Sequence, residues 1–274
     1  MTDPNSYARK LILFDPLREP ITREAIRALG LPRASRGLDV GCGIGQPMFH
    51  LAEAVGPAGH VTGLDRSGEF LAYAEQTARS RGLSERTCFR QGDMQRLPFA
   101  EDSFDWAWSM DCVGYAPVAP VPLVEELRRV VKPGGRVALL AWSSEQLLPG
   151  HPLLEARLGA TASGIAPFRS GMRPEEHFLR GLGWFDTAGL VETSAKTFVG
   201  DLHAPLSDDV RKGMVLLFEI RWGGVRESEV PAETWAEYQR LCREDSPEFI
   251  LNRPDYYAFF TYSMFHGRKR GQRG

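Results

Sequence analysis

The chain has 274 residues, 43% of them hydrophobic, enough for one large domain or one domain with a smaller cap around a sizeable core. A formal net charge of −2 with both signs mixed gives no electrostatic footprint for nucleic acid, and no apolar window approaches the roughly 18 residues of a membrane span. The start, Met1-Thr2-Asp3-Pro4-Asn5, lacks a basic segment followed by an apolar one, so no secretory leader is expected and the cytoplasm is the default location.

In chain order, residues 1 to 16 mix Tyr7, Leu11, Ile12, Leu13 and Phe14 with Arg9 and Lys10, a short helix that Asp15-Pro16 ends. It serves either as an arm packed on the core or as a cap over a ligand. From 21 to 31, Ile21, Ala25, Ile26, Ala28 and Leu29 keep one helix face apolar while Arg23, Glu24 and Arg27 keep the other wet, and Gly30 and Pro32 stop it. Residues 1 to 30 thus form a helical arm or cap. An apolar run at 37 to 41 then breaks into a glycine-rich turn, Gly37-Leu38-Asp39-Val40-Gly41-Cys42-Gly43-Ile44-Gly45-Gln46-Pro47, followed by a helical pattern from 46 to 55. Glycines 41, 43 and 45 allow φ above zero and let backbone N–H groups meet a polar ligand with no Cβ in the way. Pro47 suits the first turn of a helix whose N-terminus faces that loop.

Strand and helix then alternate, the pattern of a parallel sheet with helices on both faces. Strand two, 60 to 64, delivers Asp65 at its carboxyl end, and Ser67 caps a helix with Phe70, Leu71, Ala74 and Ala78 on one face. Strand three, 87 to 91, runs into Gly92-Asp93-Met94, and strand four, 104 to 109, ends in the tip Ser109-Met110-Asp111-Cys112. A helix carrying Leu123, Val124, Leu127 and Val131 closes at Lys132-Pro133-Gly134-Gly135, whose Pro-Gly pair suits a type II turn. Strand five, 136 to 142, is almost wholly apolar, as a strand covered on both faces should be.

After Trp142 the chain is rich in loops, with a turn or two of helix from 151 to 157; a helix is predicted at 174 to 188 and strands at 191 to 202 and 259 to 267. Between these strands an insertion, 204 to 256, carries Phe218, Trp222, Trp235, Tyr238 and Phe249, which favour helices packed as a lid. The fold class is α/β: a Rossmann-like doubly wound sheet, mostly parallel with an antiparallel last strand, formed by 31–203 and 257–270 with the helical lid 204–256 inserted. Four cysteines lie far apart without a C-x-x-C pair, which argues for reduced thiols and against a metal site or a disulfide framework.

A dinucleotide fingerprint, Gly-x-Gly-x-x-Gly, needs its third glycine at position 46, which is Gln. The motif present is Asp-x-Gly-x-Gly-x-Gly. With Gly63-Leu64-Asp65 ending the next apolar run, it resembles the first two motifs of class I S-adenosylmethionine-dependent methyltransferases. The likeness covers residues 20 to 142. It is closest to the small-molecule branch that includes ubiquinone and menaquinone biosynthesis methyltransferases, through Gly92-Asp93-Met94-Gln95-Arg96-Leu97-Pro98-Phe99, Asp102-Ser103-Phe104-Asp105 and Leu127-Arg128-Arg129-Val130-Val131-Lys132-Pro133-Gly134-Gly135. One departure is that Ser109-Met110-Asp111-Cys112-Val113-Gly114-Tyr115 lacks the His that many relatives carry shortly after strand four.

The resemblance implies S-adenosyl-L-methionine as cofactor, S-adenosyl-L-homocysteine as product and a small, partly hydrophobic acceptor as partner, with an oxygen or carbon nucleophile slightly favoured over nitrogen. Asp65, 20 positions beyond Gly45 at a strand end, would accept both ribose hydroxyls. Asp93 would accept from the adenine amino group, with Met94 against the ring. Gly41, Gly43 and the Gln46 region would hold the amino-acid end against backbone N–H groups and a helix N-terminus, with the Ser109 backbone facing the same end. Asp39 and Arg66 complete the expected cofactor set. Removal of an acceptor proton needs a base; Asp111 and His203, with His151 and His177, are the candidates. Two other classes compete: a non-catalytic binder of the same cofactor acting as scaffold or sensor, and an NAD(P)-dependent oxidoreductase, which Gln46 and the Asp93-Met94 pair oppose.

Overall fold

The computed structural model describes residues 4–116, 118–164 and 172–271. Seven strands form one sheet: β1 Arg36–Val40, β2 His60–Asp65, β3 Thr87–Gln91, β4 Phe104–Met110, β5 Val131–Gln146, β6 Leu190–His203 and β7 Tyr257–Lys269, in the order β3-β2-β1-β4-β5-β7-β6. β1 to β5 pair in parallel, and β7 runs antiparallel between β5 and β6. The chain reverses direction across the sheet between β1 and β4. That switch point opens a crevice beyond the carboxyl ends of the strands.

Period-two alternation decides which side chains meet which helices. On one face Trp106, Trp108, Met110, Ala138 and Leu140 pack against helix α1, Pro4–Leu29, and α2, Gln46–Val55. On the other, Ala107, Val137, Leu139 and Ala141 pack against α4, Pro120–Val130, and α6, Gly181–Thr187. Helix α3, Gly68–Ser80, opens with the predicted Ser67 cap, whose hydroxyl accepts from the Phe70 N–H, and buries Leu71, Ala74 and Ala78. Gly134 has φ 77°, the conformation the Pro133-Gly134 turn requires.

Three elements differ from the sequence reading. Residues 4 to 29 are one helix rather than two separated at Pro16, although Pro16 and Pro20 both lie inside it. Each proline removes one backbone donor, but Leu17, Ile21, Ala25, Ile26 and Leu29 are all buried in the main core, so tertiary packing carries the helix through. Residues 174 to 188 do not form one helix: two 3-10 turns precede α6, because His177 is extended and its side chain accepts from the Leu179 N–H. Strand β5 continues past Trp142 to Gln146, paired with Thr261, Phe260 and Phe259 across a register shift.

The insertion contains α7, Asp208–Trp222, and α8, Ala232–Cys242; helix α5, Pro152–Gly159, precedes it in the chain. Phe218, Trp222, Tyr238 and Phe249 belong to the same buried cluster as α1 and the sheet, so most of the aromatic residues of 204 to 256 are core. Among the described residues no helix is long and apolar enough to cross a membrane. α1 and α7 meet closely at Gly213, where an added Cβ would stand 3.0 Å from the Leu13 carbonyl oxygen and 3.1 Å from Leu17 Cγ. Gly213→Val should therefore cost about 1–3 kcal/mol of stability by overpacking, read as a lower urea midpoint with an unchanged slope.

Candidate active site

The glycine turn leaves β1 at Gly41, φ 76°, and reaches α2 through Gly43, φ 53°, and Gly45, φ 87°. Gly41 and Gly45 are required by packing: a Cβ at Gly41 would fall 2.2 Å from Cys112 Sγ, and one at Gly45 2.9 Å from Phe49. At Gly43 the added atom meets only Leu11 of α1, at 3.6 Å. Space for a ligand opens at that glycine. The backbone donors of the loop are mostly committed within the protein. Gly41 and Cys42 N–H donate to the Leu64 carbonyl, Gly43 N–H to Asp65 Oδ2 at 2.9 Å, and Gly45 N–H to the Cys42 carbonyl.

Asp65 sits at the end of β2, where it organises the loop. Its second oxygen accepts from Ser67 N–H at 2.9 Å, so each carboxylate oxygen holds one backbone donor and keeps a lone-pair direction for another. Asp39, beneath it on β1, is 1% exposed, and its Oδ2 has no partner among the described residues. Burial and the neighbouring Asp65 carboxylate push Asp39 from the usual 3.8 to about 8. The Ser109 hydroxyl donates to the Val40 carbonyl at 2.8 Å and accepts from Val113 N–H, tying the end of β4 to β1. Asp93 is exposed and accepts from the backbone and side chain of Gln95, while Met94 Sδ lies 3.9 Å from Cys112 Sγ. Arg66 is exposed beside Asp65, its carbonyl accepting from Gln91.

Helix α1 crosses this cleft with one face. Tyr7 stacks on Phe70 at 5.7 Å, Leu11 faces Gly43, Phe14 lies 5.8 Å from Trp142, and Arg18 Nη2 donates to Gln46 Oε1 at 3.2 Å. Arg18 Nη1 lies 3.7 Å from Asp111 Oδ2. Asp111, φ 49°, turns the chain beyond β4, and its carboxylate also accepts from Trp142 N–H at 3.1 Å and from the Tyr262 hydroxyl at 3.0 Å. Burial raises its pKa, with Arg18 and these donors opposing.

Behind Trp142 opens a cavity of about 410 Å³, lined by Tyr115, Trp142, Phe178, Glu145, His177 and Arg221 among others. The Tyr115 hydroxyl donates to the Trp142 carbonyl, so this wall is continuous with the Asp111 cluster. Glu145 accepts from the Trp142 indole N–H and from Arg221 Nε, each at 2.6 Å, which fixes the indole plane between β5 and α7.

Of the candidate bases, His177 lines the cavity and Asp111 stands on the far side of Trp142. His151 pairs with Glu237 at 2.6 Å. His203 is exposed at the end of edge strand β6, five positions beyond Phe198, the partner of Tyr262, which is about 17 Å along the strand. The structure does not bring it to the cluster. Sequence reasoning missed Arg18, Trp142, Glu145 and Tyr262. For Arg18 a signal existed: Arg18, Thr22, Ala25 and Leu29 fall at helical spacing and all are buried, so a cation interrupts an inward face.

Comparison with known proteins agrees with this geometry. Residues 38–135 match the family model of a methyltransferase domain. Methyltransferase GfsG of Streptomyces halstedii is 36% identical over 129 residues, 46% of this chain and 45% of that protein. Demethylmenaquinone methyltransferase of Geobacillus kaustophilus is 36% identical over 128 residues, 45% of this chain and 52% of its own length. The chain thus spans about half the length of these relatives. A SAM dependent methyltransferase from Aquifex aeolicus superposes with a TM-score of 0.51 at 24% identity, over 69% of this chain and 89% of that one. Residues 38–135 thus match a methyltransferase domain, and the chain shares the fold of the S-adenosylmethionine-dependent methyltransferase from Aquifex aeolicus. The family resemblance read from the glycine turn and its companion motifs is borne out.

Two outcomes follow. Asp39 keeps a proton in the folded state that the unfolded chain loses above its usual pKa, so its contribution to stability falls as pH rises from about 4 towards 8. Asp39→Asn should remove that loss, so that its stability relative to the parent rises by at least about 1 kcal/mol between roughly pH 5 and 8 in urea titrations. Asp65→Ala should weaken S-adenosylhomocysteine binding by roughly 1.5–3 kcal/mol, the range for hydrogen bonds to a charged group; calorimetry on the folded variant checks it.

Proposed function

We propose that the protein transfers a methyl group from S-adenosyl-L-methionine to a small, partly hydrophobic acceptor. The observation that carries this reading is the shared wall: Trp142 bonds through its backbone to Asp111 beside the cofactor cleft, while its side chain lines a separate cavity of about 410 Å³. That volume lies within the roughly 300–1,000 Å³ of small-molecule sites. Aromatic walls from Trp142, Tyr115 and Phe178 suit a ring-containing acceptor, and Glu145, Glu155, Glu176, His177 and Arg221 on the same lining supply polar groups to orient it. A demethylmenaquinone methyltransferase among the relatives supports an oxygen or ring-carbon nucleophile.

The residues fit the cofactor on two grounds. The unpartnered Asp39 oxygen is a buried polar atom beside the loop, and Gly43 leaves room where a side chain would intrude. In this reading Asp65 holds the ribose diol, Asp93 and Met94 the adenine, and Asp39, Gly41, Gly43, Gln46, Arg66 and Ser109 frame the remainder of the cleft. When bound, S-adenosylmethionine supplies an electrophilic methyl on a sulfonium and leaves as S-adenosylhomocysteine. Positioning of the nucleophile by the cavity then supplies much of the acceleration. Both Asp111 oxygens already face donors, so its role is to hold Trp142 and Tyr262 in place; His177 lines the cavity, but its Nδ1 already accepts from the Leu179 N–H, so neither is assigned as the base.

The end of β5, helix α5 and the two 3-10 turns contribute most of the described cavity wall, and the insertion contributes Arg221 and Trp222. Acceptor choice is therefore assigned to Trp142, Glu145 and the 172 to 179 segment together with the tip of α7. Incubation with S-adenosylmethionine and a panel of phenols, naphthols and hydroquinones, read by release of S-adenosylhomocysteine and a mass gain of one methyl, tests the reading. No turnover with any acceptor class despite cofactor binding would favour a non-catalytic binder. With an acceptor in hand, Trp142→Leu should raise its KM by about 10-fold, the order for loss of a few hydrophobic contacts. S-adenosylhomocysteine affinity should be preserved.

A further inference from the structure

The expected anchor for the cofactor's carboxylate, a row of free N–H groups in the glycine turn, is largely spent. Gly41, Cys42, Gly43 and Gly45 all donate to protein acceptors, and Pro47, second residue of α2, has no N–H. Ile44 and Gln46 are the N–H groups that remain between Gly41 and Pro47. With only two N–H groups left there, a carboxylate brought to this end of the cleft keeps acceptor capacity for a side-chain donor.

Arg18 is such a donor. Its residue is 8% exposed, it lies on the face of α1 that crosses the cleft, and its Nη2 is held by the Gln46 side chain at the start of α2. Its Nε has no acceptor among the described residues. A buried guanidinium N–H without a partner is costly. The two carboxylates nearby sit at ion-pair rather than hydrogen-bond distance, Asp15 at 3.8 Å and Asp111 at 3.7 Å. Guanidinium is always charged and its planar fork matches a carboxylate. Asp15 and Asp111 add negative charge on either side, which complements the ammonium group of the same zwitterion.

We propose that Arg18 recognises the carboxylate of the cofactor's amino-acid end, so that α1 binds ligand as well as packing on the core. This rests on the cofactor reading above. Two ligands differing only in that carboxylate test it: S-adenosylhomocysteine and S-adenosyl-3-thiopropylamine, compared by isothermal titration calorimetry. The parent protein should bind the amino acid about 10- to 100-fold more tightly than the amine, the ratio for a hydrogen bond to a charged group. Arg18→Met should abolish that preference by weakening the amino acid alone, and Arg18→Lys, which keeps charge without the fork, should retain part of it.

Thermal melts establish which variants are folded. Full preference in either folded variant, equal weakening of both ligands, or no preference in the parent would each overturn the proposal, the second by showing a purely structural arginine. Failure of the parent to bind either ligand would instead overturn the cofactor reading, and the proposal with it.

Discussion

The carboxylate of Asp111 is the interaction on which the rest of the site depends. It accepts from the β5 backbone at Trp142 and from Tyr262 on β7, and it faces Arg18 on α1, so one side chain beyond β4 joins four elements. A carboxylate only 23% exposed would be costly without such partners. With them it fixes how the long N-terminal helix lies over the carboxyl edge of the sheet. Removing any single partner would leave the others facing an incompletely compensated charge, which makes this cluster more demanding than its small size suggests.

Much of the sheet was legible because each strand announces itself by two-residue alternation or by an unbroken apolar run. Val137 to Ala141 and Phe104 to Met110 pack on both faces as their patterns require. The polar stretch Ser143 to Gln146 hid the continuation of β5, because its pairing with β7 uses backbone groups that composition does not report. The helix predicted at 174 to 188 had the right composition, but the His177 side chain took a backbone donor and broke it. In α1 the reverse happened: prolines that argue for an end were outweighed by a buried apolar face.

Residues of the cleft were legible in proportion to how local their roles are. Asp65 lies one strand beyond the glycine turn, and its bonds to Gly43 and Ser67 follow from the motif that contains them. Arg18 and Trp142 act through partners distant in the chain, so spacing could not assign them. The glycines show a similar limit. Three occur in sequence with one apparent purpose, yet Gly41 makes room for Cys112, Gly45 for Phe49, and only Gly43 borders open space.

The aromatic residues of the insertion are shared with the core, whereas the cavity rim is built largely from the polar end of β5, two 3-10 turns and the tip of α7. That separation has an evolutionary consequence. The more exposed rim positions can be exchanged without opening a void among the buried rings, whereas Phe178, packed on Trp184 and Phe265, and Trp222, packed on Phe218, cannot. Diversification should therefore be written in residues 143 to 146, 172 to 177 and 179, and conservation in Phe178, Trp222 and the face that α7 turns towards α1.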